Sequence, residues 1–213
     1  DSQTGPVLPF VNQIADSIKE EFPDVAVGTL AYKHHGTRRP PRHVKPRANV
    51  VVRMSTAEHC QFHPLTTADC AGNRHLREDT IGWSKISPRL YVWDYVANYG
   101  DILMPWPNLH ALQPKIKFLV DHGAKGIFAQ GISATDGSEF AALRSYILAR
   151  CLWDPECDWE KEMDAFLDAC YGRAAGPLRQ YIDLLHQKVR RDDIHATAAP
   201  SEYLTRELVN RAD

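Results

Sequence analysis

Aromatic rings, a carboxylate and an amide crowd the end of one apolar run. In "RLYVWDYVANYGDILMPWPNL" (89–109), Trp93, Asp94 and Tyr95 close a stretch of β-favouring residues, and Asn98, Tyr99 and Trp106 follow. Trp and Tyr faces stack on the apolar side of a pyranose ring while Asn and Asp bond its hydroxyls, so these residue types suit a sugar site if the fold turns them into a cleft. A second cluster, "EHCQFHPLTTADC", brings Cys60, His63 and Cys70 together with the adjacent His59. Thiolate and imidazole suit zinc, but the spacing fits no recognised zinc module. A Cys60–Cys70 disulfide or two buried thiols would account for the same residues, and no metal or cofactor is assigned.

The elements that must position these residues alternate. "PFVNQIADSIKEEFP" puts Val11, Ile14, Ala15, Ile18 and Phe22 on one helical face, and "VAVGTLAY" (25–32) follows as a buried strand. A Pro- and Arg-rich loop leads to a β-branched strand at 49–55. A polar segment containing the predicted helix "HLREDTIGWSKI" precedes the strand at 89–95. "NLHALQPKIKFLVDHG" reads as a helix closed by Gly123, with room for a break at Pro114, and 124–131 is a fourth strand. Three helical segments end the pattern: "SEFAALRSYILARCLWDP", "DWEKEMDAFLDACYG" and "AAGPLRQYIDLLHQKVRR". Strands separated by helices imply a parallel sheet, hence an α/β class, as an open sheet or as part of a (β/α)₈ barrel. No Gly-rich phosphate loop is present, which disfavours a nucleotide site.

The 213 residues are 44% hydrophobic, enough to fill a core, and carry a formal charge of −2 with both signs interspersed. No basic footprint points to nucleic acid and no polybasic or long apolar run to a membrane. The opening "DSQTGPVLPF" lacks the regions of a signal peptide and reads as mid-protein. Five cysteines form no disulfide scaffold and fix no compartment.

Several of these stretches, in the same order, resemble one family. "TLAY", "PRANVVVRMSTAEHC", "GWSKISPRLYVWDYVANY", "MPWPNLHALQPKIKFLVDHGAKGIFAQG", "EFAALRSYILARCLWDP" and "ACYGRAAGPLRQYIDLLH" are similar to the DUF4838 domain of bacterial carbohydrate-active proteins, from about residue 4 to 190. Members sit beside glycoside hydrolases, and some are endo-β-N-acetylglucosaminidases acting on N-glycans. The resemblance implies a TIM-type barrel, a secreted or periplasmic bacterial location and a GlcNAc-containing glycan as ligand. It makes the four strands the last four of such a barrel. Residues 1–190 are then a C-terminal half-barrel with its C-terminal helices, and 191–213 a weakly patterned tail. The family's earlier strands, one ending in an acidic motif, have no counterpart in this sequence.

Barrel sites gather at the C-terminal ends of strands, which selects Tyr32, His34 and His35, then Arg53, Ser55 and Glu58, then Trp93, Asp94, Tyr95 and Asn98, then Gln130, with Glu139 on the loop beyond. Substrate binding is assigned to Tyr32, His34, Arg53, Trp93, Tyr95, Asn98 and Gln130. Of the strand-end acids Asp94, Glu139 and Glu58, Asp94 and Glu139 are the candidate catalytic residues, orienting sugar or a partner acid. Trp93 could equally fill a barrel, and Asp94 could cap a turn or pair with Arg53. The two cannot both face inward on a regular strand, because successive side chains alternate. The competing functions are a non-catalytic carbohydrate-binding or scaffold module and a metal-dependent hydrolase using His34, His35 and Asp94. The expected partners are an oligosaccharide and either the missing barrel half or a second copy.

Overall fold

A computed structural model describes residues 3–132 and 137–198; of the weakly patterned tail, 199–213 lies outside the described residues. The helices are α1 (Thr4–Ile18), α2 (Ala71–Ser84), α3 (Leu109–Asp121), α4 (Ala141–Trp153), α5 (Trp159–Tyr171) and α6 (Ala175–Arg191), and the strands are β1 (Val27–Ala31), β2 (Val50–Ser55), β3 (Leu90–Tyr95) and β4 (Ala124–Gln130). The sheet is four-stranded and all-parallel, in the order β1-β2-β3-β4, and the chain is α/β with helices following the last strand.

The chain sorts into two compact units. The first comprises residues up to Glu58, Arg74–Tyr95 and Leu119–Ala129; the second comprises His59–Asn73, Val96–Phe118 and the chain from Gln130 onward.

In the first unit the pairing Leu30↔Arg53↔Tyr91 and Ser55↔Trp93 sorts each strand's side chains into two faces. One face is apolar and covered: Val50, Val52, Met54, Leu90 and Val92 are fully buried. α1 packs on β1 and β2 through its buried Leu8, Val11 and Ala15, and Thr80 of α2 lies against the Met54 sulfur. Phe22, expected on the α1 face, falls beyond the helix end and is exposed, because the chain leaves the helix before Pro23. The other face carries Leu30, Arg53, Tyr91, Trp93, Tyr95 and Phe128, and the described residues leave it largely open: Leu30 is 46% and Phe128 60% exposed. Tyr91 lies across Gly126 of β4, where a Cβ would come within 2.6 Å of its ring.

Pro114 sits inside α3 without ending it, and Gly123, at φ +85°, closes the turn after it. The left-handed conformation there explains a glycine. In the second unit α4, α5 and α6 pack in succession, α5 capped by the Asp158 side chain accepting from the Lys161 N–H.

Candidate functional site

Three aromatic rings gather where β1 and β3 end. The Tyr32 and Tyr95 hydroxyls are 3.0 Å apart, Trp93 stacks on Tyr95 with centroids 5.5 Å apart and planes 15° apart, and Tyr32 meets Trp93 at 6.1 Å. Parallel pairing makes this possible: Trp93 and Tyr95 share strand parity, and Tyr32 continues the same face of β1. Burial and the Tyr32 hydrogen bond push the Tyr95 phenol up to about 12. It therefore stays neutral and available as donor or acceptor. Phe128 of β4 reaches Trp93 at 6.4 Å, and Arg53 is exposed on the same face.

Behind the strand ends lies a polar network in which the sequence singled out His34 and Glu58 but not Arg38, Asp79 or His75. After β1 the chain makes a tight turn, Lys33–Arg38, entered by Lys33 at φ +56° and kinked at Gly36. The turn places His34 Nδ1 2.9 Å from Asp79 Oδ2 on α2, and the buried Arg38 Nε 2.9 Å from the same oxygen. Glu58, exposed after β2, accepts the His34 N–H at 2.7 Å and lies 3.5 Å from Arg38 Nη2. With Nδ1 held by Asp79, the remaining proton position of His34 is Nε2, a geometry suited to proton transfer. His75 stacks on His34 at 3.9 Å and is held below the ordinary imidazole range by burial and by that neighbour. Asp79 looked like one more charge on a polar helix; the signal available was its i,i+4 spacing from His75 on the helix face that meets the turn.

Asp94 does not join the aromatic face. It sits fully buried on the covered side of β3, opposite in parity to Trp93, and accepts a 2.7 Å bond from the Thr56 hydroxyl, which in turn accepts the Tyr95 N–H. These bonds tie the ends of β2 and β3 together through Thr56. The trio His34, His35 and Asp94 forms no metal-ligating group among the described residues.

In the second unit, Asn98 is buried and builds a turn: its side-chain oxygen accepts from the N–H groups of Gly100 and Asp101, and its amide contacts the Met104 sulfur. Its side-chain acceptor, assigned to substrate from the sequence, is engaged locally in this turn. Glu139 is locked to Arg144 at 2.8 Å, and Arg144 also bonds Asn108 and the Trp106 carbonyl. Gln130 ends β4 with the parity of Gly126 and Phe128, and its carbonyl accepts the Tyr99 hydroxyl.

The same unit holds the cysteine cluster. Cys60 and Cys70 are free, buried thiols. Their sulfurs and a nitrogen each of His63 and His195 all lie within 4.8 Å of one another. The Cys70 thiol's hydrogen bond, with further help from His63, the Ala196 backbone and His195, pushes the Cys60 thiol down to about 4. His195 belongs to the segment that read as unpatterned tail. No local spacing could have joined it to residues more than a hundred positions earlier.

A family described as "Domain of unknown function (DUF4838)" matches residues 1–183. Neither the curated proteins nor the solved structures contain a match to the sequence.

Proposed function

The chain belongs to the DUF4838 family, and on that premise we propose that it is a carbohydrate-active, glycoside hydrolase-like segment that binds an oligosaccharide, in the first instance a GlcNAc-containing glycan, at the strand-end aromatic face. The observation that carries the reading is the grouping of Tyr32, Trp93 and Tyr95 on an open sheet face at the C-terminal ends of parallel strands. Stacked aromatics with hydroxyls at their edges match the mixed apolar and polar surface of a pyranose. Arg53, and Glu58 with His34 at the rim, add charged groups and hydrogen-bonding capacity.

The strand order supports a half-barrel. In a doubly wound sheet the order reverses partway, whereas in a barrel each strand is laid beside the last. Here it runs β1-β2-β3-β4 without reversal. Burial of Asp94 and the engagement of Glu139 with Arg144 favour a binding and positioning role for this chain over supply of both acids of a glycosidase.

The test is calorimetric titration of the chain with GlcNAc oligosaccharides. Trp93→Ala should weaken binding roughly tenfold, the order expected from losing a stacked aromatic. Trp153→Ala, at an 89% exposed position on α4, should leave it unchanged. Absence of binding to any GlcNAc-containing oligosaccharide by this chain, alone or within any longer protein that carries it, would sink the proposal. Where activity is found, Glu58→Gln separates the roles: a positioning group changes affinity, and a reacting acid changes the rate.

A further inference from the structure

We propose that Cys60, His63, Cys70 and His195 form a closed, structural zinc site that clips the chain following α6 to the buried loop beginning at His59. The inference is independent of the carbohydrate reading, because all four residues belong to the second unit.

Geometry is the first support. Cys60 Sγ is 3.3 Å from His63 Nδ1 and 3.4 Å from His195 Nδ1, and Cys70 Sγ is 3.7 Å from His195 Nδ1. A tetrahedral zinc ion with Zn–S of about 2.3 Å and Zn–N of about 2.0–2.1 Å requires sulfur-to-nitrogen edges of about 3.5–3.6 Å. The observed separations bracket that edge, and the four donors are the Cys₂His₂ set of structural zinc sites. Four protein ligands leave no open position for a reacting water, so the ion would hold the fold rather than do chemistry.

The outer nitrogens supply the second support. His63 Nε2 and His195 Nε2 both approach one carboxylate oxygen, Asp193 Oδ1, at 3.3 and 3.4 Å. Metal-bound imidazoles characteristically donate their other N–H to a carboxylate, which fixes the tautomer and the ring orientation. Here a single acid would orient both rings with Nδ1 toward the metal. Asp193 adopts φ +50°, a left-handed conformation uncommon for a residue with a side chain. That turn lies between the end of α6 and His195.

Local need is the third. Residues 59–70 contain no helix or strand, yet Cys60, Gln61, Phe62, His63 and Leu65 are buried. An irregular buried segment needs anchors for its backbone. Asn73 supplies some, accepting the Cys60 N–H and donating to the His63 carbonyl, and the Ala196 carbonyl accepts the Gln61 N–H. Phe62, Met104, Trp106, Val189 and Ile194 form an apolar collar with the two cysteines, which limits water at the site. Zinc binds thiolate and neutral imidazole, forms that acid protonates, so binding weakens in acid.

The experiment uses the chain expressed without a histidine tag. Elemental analysis should return about one zinc per chain, and replacement by cobalt should give a tetrahedral d–d spectrum with thiolate-to-cobalt charge transfer. Zinc should protect Cys60 and Cys70 from alkylation, chelator should expose them, and exposed Cys170 should react in both states. Asp193→Asn should lower zinc affinity by roughly 10–100-fold, and Cys170→Ser should leave it unchanged. The cobalt spectrum and alkylation pattern of the unmutated chain decide the question even if Cys60→Ser fails to fold. Failure to take up zinc on titration, an octahedral cobalt spectrum lacking thiolate bands, or a Cys60–Cys70 disulfide in peptide maps of unreduced protein would overturn the proposal.

Discussion

Trp93 and Asp94 are adjacent in sequence and face opposite sides of one strand, and that alternation separates a ring on the open face from a buried acid bonded to Thr56. The residue types at the strand end were legible, as was the rule that only one of the pair faces the open side. Which one did so was not, because both neighbours of β3 had to be in register first. Other buried polar residues carry their own consequence. His110 and His186, ring centroids 4.6 Å apart, are both buried. Burial, aided by Arg190, holds His110 down to about 4, and burial, aided by His110 and Arg190, holds His186 down to about 2. These folded-state values lie below the 6.5 of an unfolded histidine, so as pH falls the unfolded chain takes up protons first. The stability they contribute is complete above about pH 6.5 and declines as pH drops toward about 4 for His110 and about 2 for His186. Urea midpoints measured in chelator, where zinc release plays no part, should therefore fall between about pH 7 and about pH 4.5, and His186→Leu should flatten the slope. A midpoint constant over that range would refute the account.

At the scale of elements the sequence was generous. Every predicted helix and strand has a counterpart, because the apolar periods are strong and the stops are chemical: Gly123 and Gly172 both adopt positive φ where α3 and α5 end. Less readable was how elements meet. Asp79 gave no hint of its ion pair with Arg38, since that contact depends on where the Lys33–Arg38 turn docks against α2. Gly82 marks that docking. A Cβ there would come within 2.5 Å of Pro40 Cγ, and the next residue, Trp83, donates its Nε1–H to the Arg38 carbonyl. Helix propensity alone favours alanine at Gly82 by about 1 kcal/mol. Overpacking costs about 1–3 kcal/mol, and the proline ring has little freedom to retreat. Gly82→Ala should therefore lower the melting temperature despite its better propensity, whereas a rise would show that the loop yields freely.

For the whole molecule, the open face of the sheet sets the physical behaviour. β1 and β4 are the outer strands of the four-stranded order, and each presents backbone groups that a barrel would pair by closing. Leu30 of β1 and Phe128 of β4 stand exposed on that face, with Tyr91 and Trp93 between them. Apolar surface of this extent, next to outer strands that no other described strand covers, favours association with a complementary surface, for which the remaining strands of the proposed barrel or a second copy are the candidates. The 213-residue chain should thus self-associate on its own, with an elution volume that shifts with concentration in size-exclusion chromatography. Replacing both apolar residues, Leu30→Lys with Phe128→Lys, should shift the equilibrium toward monomer, because two like charges on one face oppose burial. Amide exchange at β1 and β4 should slow as concentration rises. A monodisperse monomer at every concentration, with both outer strands strongly protected, would contradict the half-barrel reading and point to a self-contained α/β domain.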